Sequence, residues 1–165
     1  MIVEENNGFI AAILDSIVLE CRSYDYNLSV ITSEGSFAET ISKLDFKQYN
    51  GVIVLGTELQ NCDYPALEQV RVPFVVVDNP MKNFSCSSIS INNAELVYCA
   101  LKHLKELGHR EIAYFHSNTS IPNFEERQEA FRRYCSELGM GFSESSLFEL
   151  TPTLKIGRAS CRERV

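Results

Sequence analysis

The sequence predicts an α/β fold with a parallel sheet, and three observations predict it. Short apolar runs bounded by turn residues, GVIVLG (51–56) and VPFVVVD (72–78), read as strands buried on both faces. Two long segments, 93–107 and 123–139, carry apolar residues at helical spacing and end at Gly108 and Gly139. These strand and helix patterns alternate along the chain, as crossover connections between parallel strands require.

Taken in order, residues 9–23 place Phe9, Ile13, Leu14, Ile17, Val18 and Cys21 on one stripe of an amphipathic helix, with Asn6 or Asn7 as its cap. YNLSVIT (26–32) is a β-rich run. Residues 36–44 form a short helix with Phe37, Ile41 and Leu44 on one face. Between the two apolar strands, 66–70 forms another short helix. SSISI (87–91) is a further strand, followed by the helix at 93–107. EIAYFHS (111–117) is a buried strand, 123–139 a helix, and 147–150 the approach to a last strand. In sheets of this kind ligands lie beyond the carboxyl ends of the strands, so candidate residues follow Val54, Val77, Ile91 and Phe115.

Composition sets bounds. The chain has 165 residues, 45% hydrophobic and 22% charged, which is the globular range. Its formal charge is −7, and no basic patch is visible, so any DNA contact falls to a segment outside this sequence. Nothing reads as a membrane span or a secretory signal. The six cysteines form no CxxC motif and no metal-ligand spacing with histidine; they read as reduced thiols, which points to the cytoplasm.

Catalytic signatures are missing: there is no GxGxxG, no GxxxxGK[ST] and no GxSxG. Glu125 and Glu126 are adjacent on a helix, so they do not share a face. No enzyme, cofactor or metal is expected. The tail departs from the rest: IGRASCRERV (156–165) has no apolar periodicity and reads as a translated sequencing adapter, so 155–165 is treated as an artefactual tail.

Four stretches, in order, resemble the LacI/GalR regulators: GVIVLG (51–56), PFVVVDN (73–79), SISINNAELVYCALKHLKELGHREIAYFHS (88–117) and NFEERQEAFRRYCSELGM (123–140). The third, with its Gly108-His109-Arg110 turn, is the most specific. The resemblance implies a periplasmic-binding-protein-like (type I) effector domain with two α/β subdomains. Residues 1–108 would be the N-terminal subdomain with a truncated first strand, and 109–154 part of the C-terminal one. It further implies a small-molecule effector, a carbohydrate or related metabolite, in the cleft between them, a homodimeric parent protein, and DNA binding through a helix-turn-helix that this fragment lacks. A sugar-binding protein of an ABC transporter is the alternative, since it shares the fold.

The resemblance also suggests site residues. Arg127 matches the arginine that reaches effector from the second subdomain, and its planar fork suits hydroxyls or a carboxylate. Phe9 matches an aromatic that lines the cleft. Asn92 stands where the family usually has aspartate, an amide in place of a strong acceptor. Thr57 and Asn79 follow strands and join the list, as does His116 at a strand end beside Ser117; Asp78 reads as a turn cap.

Overall fold

The computed structural model describes residues 8–33 and 35–150. Within them the chain forms α1 (Gly8–Ser23), α2 (Phe37–Ser42), β1 (Val52–Leu55), α3 (Tyr64–Leu67), β2 (Phe74–Val77), β3 (Ser87–Ile89), α4 (Asn93–Glu106), β4 (Tyr114–Ser117), α5 (Pro122–Leu138) and β5 (Leu147–Leu150). The caps expected at Asn6 or Asn7, the MIVEE start and the 155–165 tail lie outside the described residues.

Two parallel sheets carry the fold. In the first, β1, β2 and β3 lie side by side, with Val54 opposite Val76 and Val76 opposite Ser88. One face of it buries Val54 and Val76 against Leu59, Tyr64, Leu67 and Met81. Ile41 and Ala66 seal the adjoining corner beside Val52 and Phe74. The other face is open: Ile53 remains 40% exposed. The expectation of burial on both faces therefore holds for one face only among the described residues. Gly56, after β1, is fixed by space, since a Cβ there would lie 2.6 Å from Cγ1 of Val76.

The second sheet pairs β4 with β5, Tyr114 opposite Leu147. Its core holds Val97 and Leu101 of α4 with Ala130, Phe131 and Cys135 of α5, and Met140 beyond. The Phe131 ring stacks on Tyr114 at 4.5 Å. The buried face of α4 belongs to this core, because its apolar stripe packs on α5 rather than on the first sheet.

Two further expectations change. Residues 26–32 form no strand; Tyr26, Leu28, Val30 and Ile31 are exposed. An isolated β-rich run has no ladder partner for its backbone groups, and none of the described strands pairs with it. The helix at 9–23 forms, but α1 buries none of its residues. At the other helix ends local chemistry acts as read: Gly139 takes a left-handed φ of 64° and closes α5. Gly108 follows α4 at φ 91°.

Candidate functional site

The carboxyl ends of the first sheet and the first turns of α4 and α5 meet in one hydrogen-bonded cluster. Its elements place it there for local reasons. Strand β2 runs out at Val77, and Asp78 turns the chain with a left-handed φ of 65°. Its amide donates to the Ile89 carbonyl at 2.7 Å, which pins the turn to the end of β3. Asn92 then caps α4, accepting from the Glu95 amide at 3.1 Å and donating to the Glu95 carboxylate at 2.9 Å, a reciprocal cap of Asn-x-x-Glu form. Pro122 opens α5 within its first turn, where a missing N–H costs nothing.

Three of the cluster's side chains, those of Asp78, Asn93 and Asn123, are buried. Thr57 donates from Oγ1 to Oδ2 of Asp78 at 2.7 Å. Asn123 donates from Nδ2 to Oδ1 of Asp78 at 3.0 Å. Its own Oδ1 accepts from Nδ2 of Asn93 at 2.9 Å. Asn93 also donates to Oε2 of Glu126 at 2.8 Å and accepts from Nε of Arg127 at 2.7 Å. On the outer side, Lys82 pairs with Oε1 of Glu126 at 2.7 Å. Asp78, Asn93 and Asn123 are 5%, 1% and 3% exposed. Buried polar groups of this kind need partners, and each has them.

Charge follows the geometry. The hydrogen bond from Lys82 to Glu126 holds the amine above its ordinary range, against a smaller opposing effect of burial. Burial pushes the Tyr114 phenol up, while the Arg127 guanidinium pulls it down, so Arg127 is electrostatically part of the β4 end as well. A cleft of about 470 Å³ opens beside the cluster, lined among others by Lys82, Ser90, Asn92, Asn93, Glu126 and Arg133. The arrangement suits binding through hydrogen bonds. Among the described residues there is no group of three or more His, Cys, Asp or Glu side chains placed to hold a metal.

The sequence-derived residues fare differently. Thr57 and Arg127 enter the cluster from opposite ends, and Asp78 is its hub rather than a simple turn cap. Asn92 borders the cleft, but its side chain is engaged in capping α4. Asn79 is fully buried and turned inward. It donates to the carbonyls of Gly56 and Leu59, at 2.9 and 3.1 Å, and accepts from the Met81 amide and the Tyr64 hydroxyl, at 3.0 and 3.3 Å. Those four bonds exhaust a carboxamide, so Asn79 clamps a loop. Phe9 is about half exposed on α1 and takes no part in the cluster. His116 stacks over Tyr114 at 5.9 Å with Nδ1 3.1 Å from the Ser117 carbonyl, outside the cluster.

Sequence reasoning missed Asn93, Asn123, Glu126 and Lys82. For the first two a signal existed: an asparagine in the first turn of each of two helices that follow strand ends.

Comparison with known proteins agrees with this fold. The family model of periplasmic binding proteins and the sugar binding domain of the LacI family matches residues 1–163. The HTH-type transcriptional repressor PurR of Vibrio cholerae is 25% identical over 153 residues, covering 90% of this chain and 46% of the repressor. The crystal structure of the transcription regulator CcpA of Lactococcus lactis superposes with a TM-score of 0.71 at 24% identity, covering 91% of this chain and 56% of that one. A LacI family transcriptional regulator from Lactobacillus casei with bound sucrose gives 0.69 at 21%, covering 92% and 57%. The chain thus spans about half the length of the relatives it matches. Its two parallel sheets, its helix order and its matched sequence agree: the chain belongs to the family of periplasmic binding proteins and LacI-type sugar-binding domains.

Proposed function

We propose that this chain is the effector-sensing part of a transcriptional regulator, with a small polyhydroxylated metabolite held where the carboxyl ends of β1–β3 face the first turns of α4 and α5. The observation that carries this reading is the cluster running from Thr57 through Asp78, Asn123 and Asn93 to Arg127, which ties the first sheet to the second unit at the place where open α/β sheets bind ligands. A ligand that bridges the two units favours one relative arrangement of them, and differential affinity for two arrangements is what an allosteric sensor requires. The relatives named above are regulators, which favours this over the transport alternative. In this reading the parent protein is a cytoplasmic homodimer, contacts DNA through a segment outside this chain and performs no catalysis. Among the described residues no helix is long and apolar enough to cross a membrane.

The test is thermal melting of the purified chain with a panel of mono- and disaccharides, sucrose included, and their acid and phosphate derivatives. At least one compound raises the melting temperature in a saturable way, and Arg127→Ala removes that rise. A panel without effect, or a rise untouched by Arg127→Ala, overturns the reading.

A further inference from the structure

Asn50 and Gly51 form the bend that leads from the short helical turn Phe46–Gln48 into β1, and both are exposed. In an asparagine–glycine pair the side-chain amide lies within reach of the next backbone nitrogen, and glycine has no Cβ to shield that nitrogen. A folded chain prevents their reaction by engaging the nitrogen or by lacking it. Asn79 is followed by Pro80, which has no N–H. After Asn83, Asn92 and Asn123 the next amide donates to a carbonyl: Phe84 to Met81 at 3.2 Å, Asn93 to Ile91 at 2.9 Å and Phe124 to Ile121 at 3.0 Å. The Gly51 amide makes no such bond among the described residues, and the Asn50 carboxamide has no hydrogen-bond partner among them either. The sheet takes hold one residue later, where the Val52 amide donates to the Pro73 carbonyl at 2.9 Å.

We infer that Asn50 is a site of spontaneous covalent modification, losing its amide through a succinimide formed with Gly51. The Gly51 nitrogen attacks Cγ of Asn50. A new C–N bond forms, the bond from Cγ to Nδ2 breaks, and ammonia leaves with the proton that the Gly51 amide gives up. Water then opens the five-membered imide at either carbonyl. One opening leaves aspartate; the other leaves isoaspartate, in which the backbone runs through the former side chain. Water consumed and ammonia released balance the change, and nothing is oxidised or reduced. Both products add negative charge to a chain already at −7. Isoaspartate also lengthens the backbone path by one carbon, about 1.5 Å, directly before β1. Space there is short: even a Cβ on Gly51 would lie 3.2 Å from the Pro73 carbonyl oxygen. The modification therefore loosens the bond from Val52 to Pro73, at the corner where Val52 packs beside Ile41 and Ala66.

The experiment is incubation of the whole chain in warm, mildly alkaline buffer, followed by tryptic mass mapping. Cleavage after Lys47 and Arg71 separates Asn50 from Asn7, the other asparagine that precedes a glycine, and fragment ions separate it from Asn61. Peptide 48–71 gains the mass of an acid over an amide at Asn50, in two chromatographic forms, and protein isoaspartyl methyltransferase labels one of them. Asn79, Asn83, Asn92 and Asn123 remain amides over the same time. Asn50→Gln, which would have to close a six-membered ring, stays unmodified at that position and melts as the starting chain does. In the isoaspartate fraction the Val52 amide exchanges with deuterium faster than in Asn50→Gln carried through the same incubation. A synthetic 48–71 peptide fixes the unfolded rate. Reaction of that peptide without reaction of the folded chain overturns the inference, as does a mass gain confined to Asn7 or Asn61. Equal exchange at Val52 in the two chains overturns the consequence drawn for the sheet.

Discussion

Asn123 donates from one carboxamide nitrogen to both the backbone carbonyl and the carboxylate of Asp78, at 3.1 and 3.0 Å, across 45 positions of chain. This bond joins the turn after β2 to the first turn of α5, and so joins the two sheet units. Because Asn123 also accepts from Asn93, removing it leaves one N–H of Asn93 and Oδ1 of Asp78 without that partner at once. Asn123→Ala is expected to destabilise the chain by about 2 kcal/mol, the cost of unsatisfied buried polar atoms. Asn123→Asp costs more, since it sets a second carboxylate against Asp78. Urea denaturation midpoints for the two variants check the ranking; an Asn123→Asp midpoint at or above that of Asn123→Ala contradicts it.

The two asparagines that follow strands separate cleanly by burial. Asn79 has all four hydrogen-bonding positions filled within the protein, so Asn79→Ala is expected to cost about 3 kcal/mol. Asn92 is exposed and caps α4, and Asn92→Ala is expected to cost about 1 kcal/mol. Chemical denaturation of both variants measures the contrast. Equal losses would mean that the buried loop clamp contributes no more than an exposed cap.

Much of this fold is legible in the residues, and the limits of legibility are physical. The runs at β1 and β2, and the stripes of α4 and α5, are local patterns, and local patterns survive into the structure. YNLSVIT is equally β-rich, yet a strand exists only where a partner completes its ladder, and partnership is not a local property. The site divides in the same way. Thr57 is suggested by its place after a strand and Arg127 by the family resemblance, and both take part in the cluster. The pairing of Asn93 with Asn123, 30 positions apart, and of both with Asp78, depends on how two helix starts pack against a sheet end. Asn79 shows the converse: its place after a strand suggests a ligand contact, and only its burial reveals a clamp.

Stability should decline on the alkaline side. Burial raises the Cys135 thiol above its ordinary 9.0 and the Tyr114 phenol above its ordinary 10.0, the latter opposed by Arg127. Burial likewise raises Tyr64, aided by Cys86 and Asp63. The Glu126 hydrogen bond raises Lys82 above 10.5, although that amine is largely exposed and contributes little. All of these groups hold a proton more tightly in the folded chain than in the unfolded one. Their contribution is complete below the ordinary values and is lost as pH rises through the folded ones. The urea midpoint is therefore flat with respect to these groups below pH 9, begins to fall above the ordinary thiol value of 9.0 and continues past 10.5. Cys135→Ala lowers the plateau through a small cavity and flattens the first part of the decline. A midpoint that stays level through that range argues against the burial of these groups.

The open face of the first sheet gives the last prediction. Leu55, Val77 and Ile89 stand in one row across three strands, and Ile53 stands beside Val75 in the next. Ile53 and Ile89 are 40% and 64% exposed, so this row is apolar surface in contact with water. Surfaces of that kind bind the dye ANS, which ordinarily reports loss of packing. Here the folded chain itself is expected to bind it, below the onset of the melt. Ile89→Lys places a charge at the β3 end of that row, at an exposed position that joins none of the core clusters among the described residues. Its expected effect is a clear drop in dye fluorescence with stability changed by no more than about 0.5 kcal/mol. Undiminished fluorescence in the variant would move the dye site to another apolar surface, such as the stripe of α1, which buries none of its residues. A large loss of stability would show instead that Ile89 packs against something the described residues do not include.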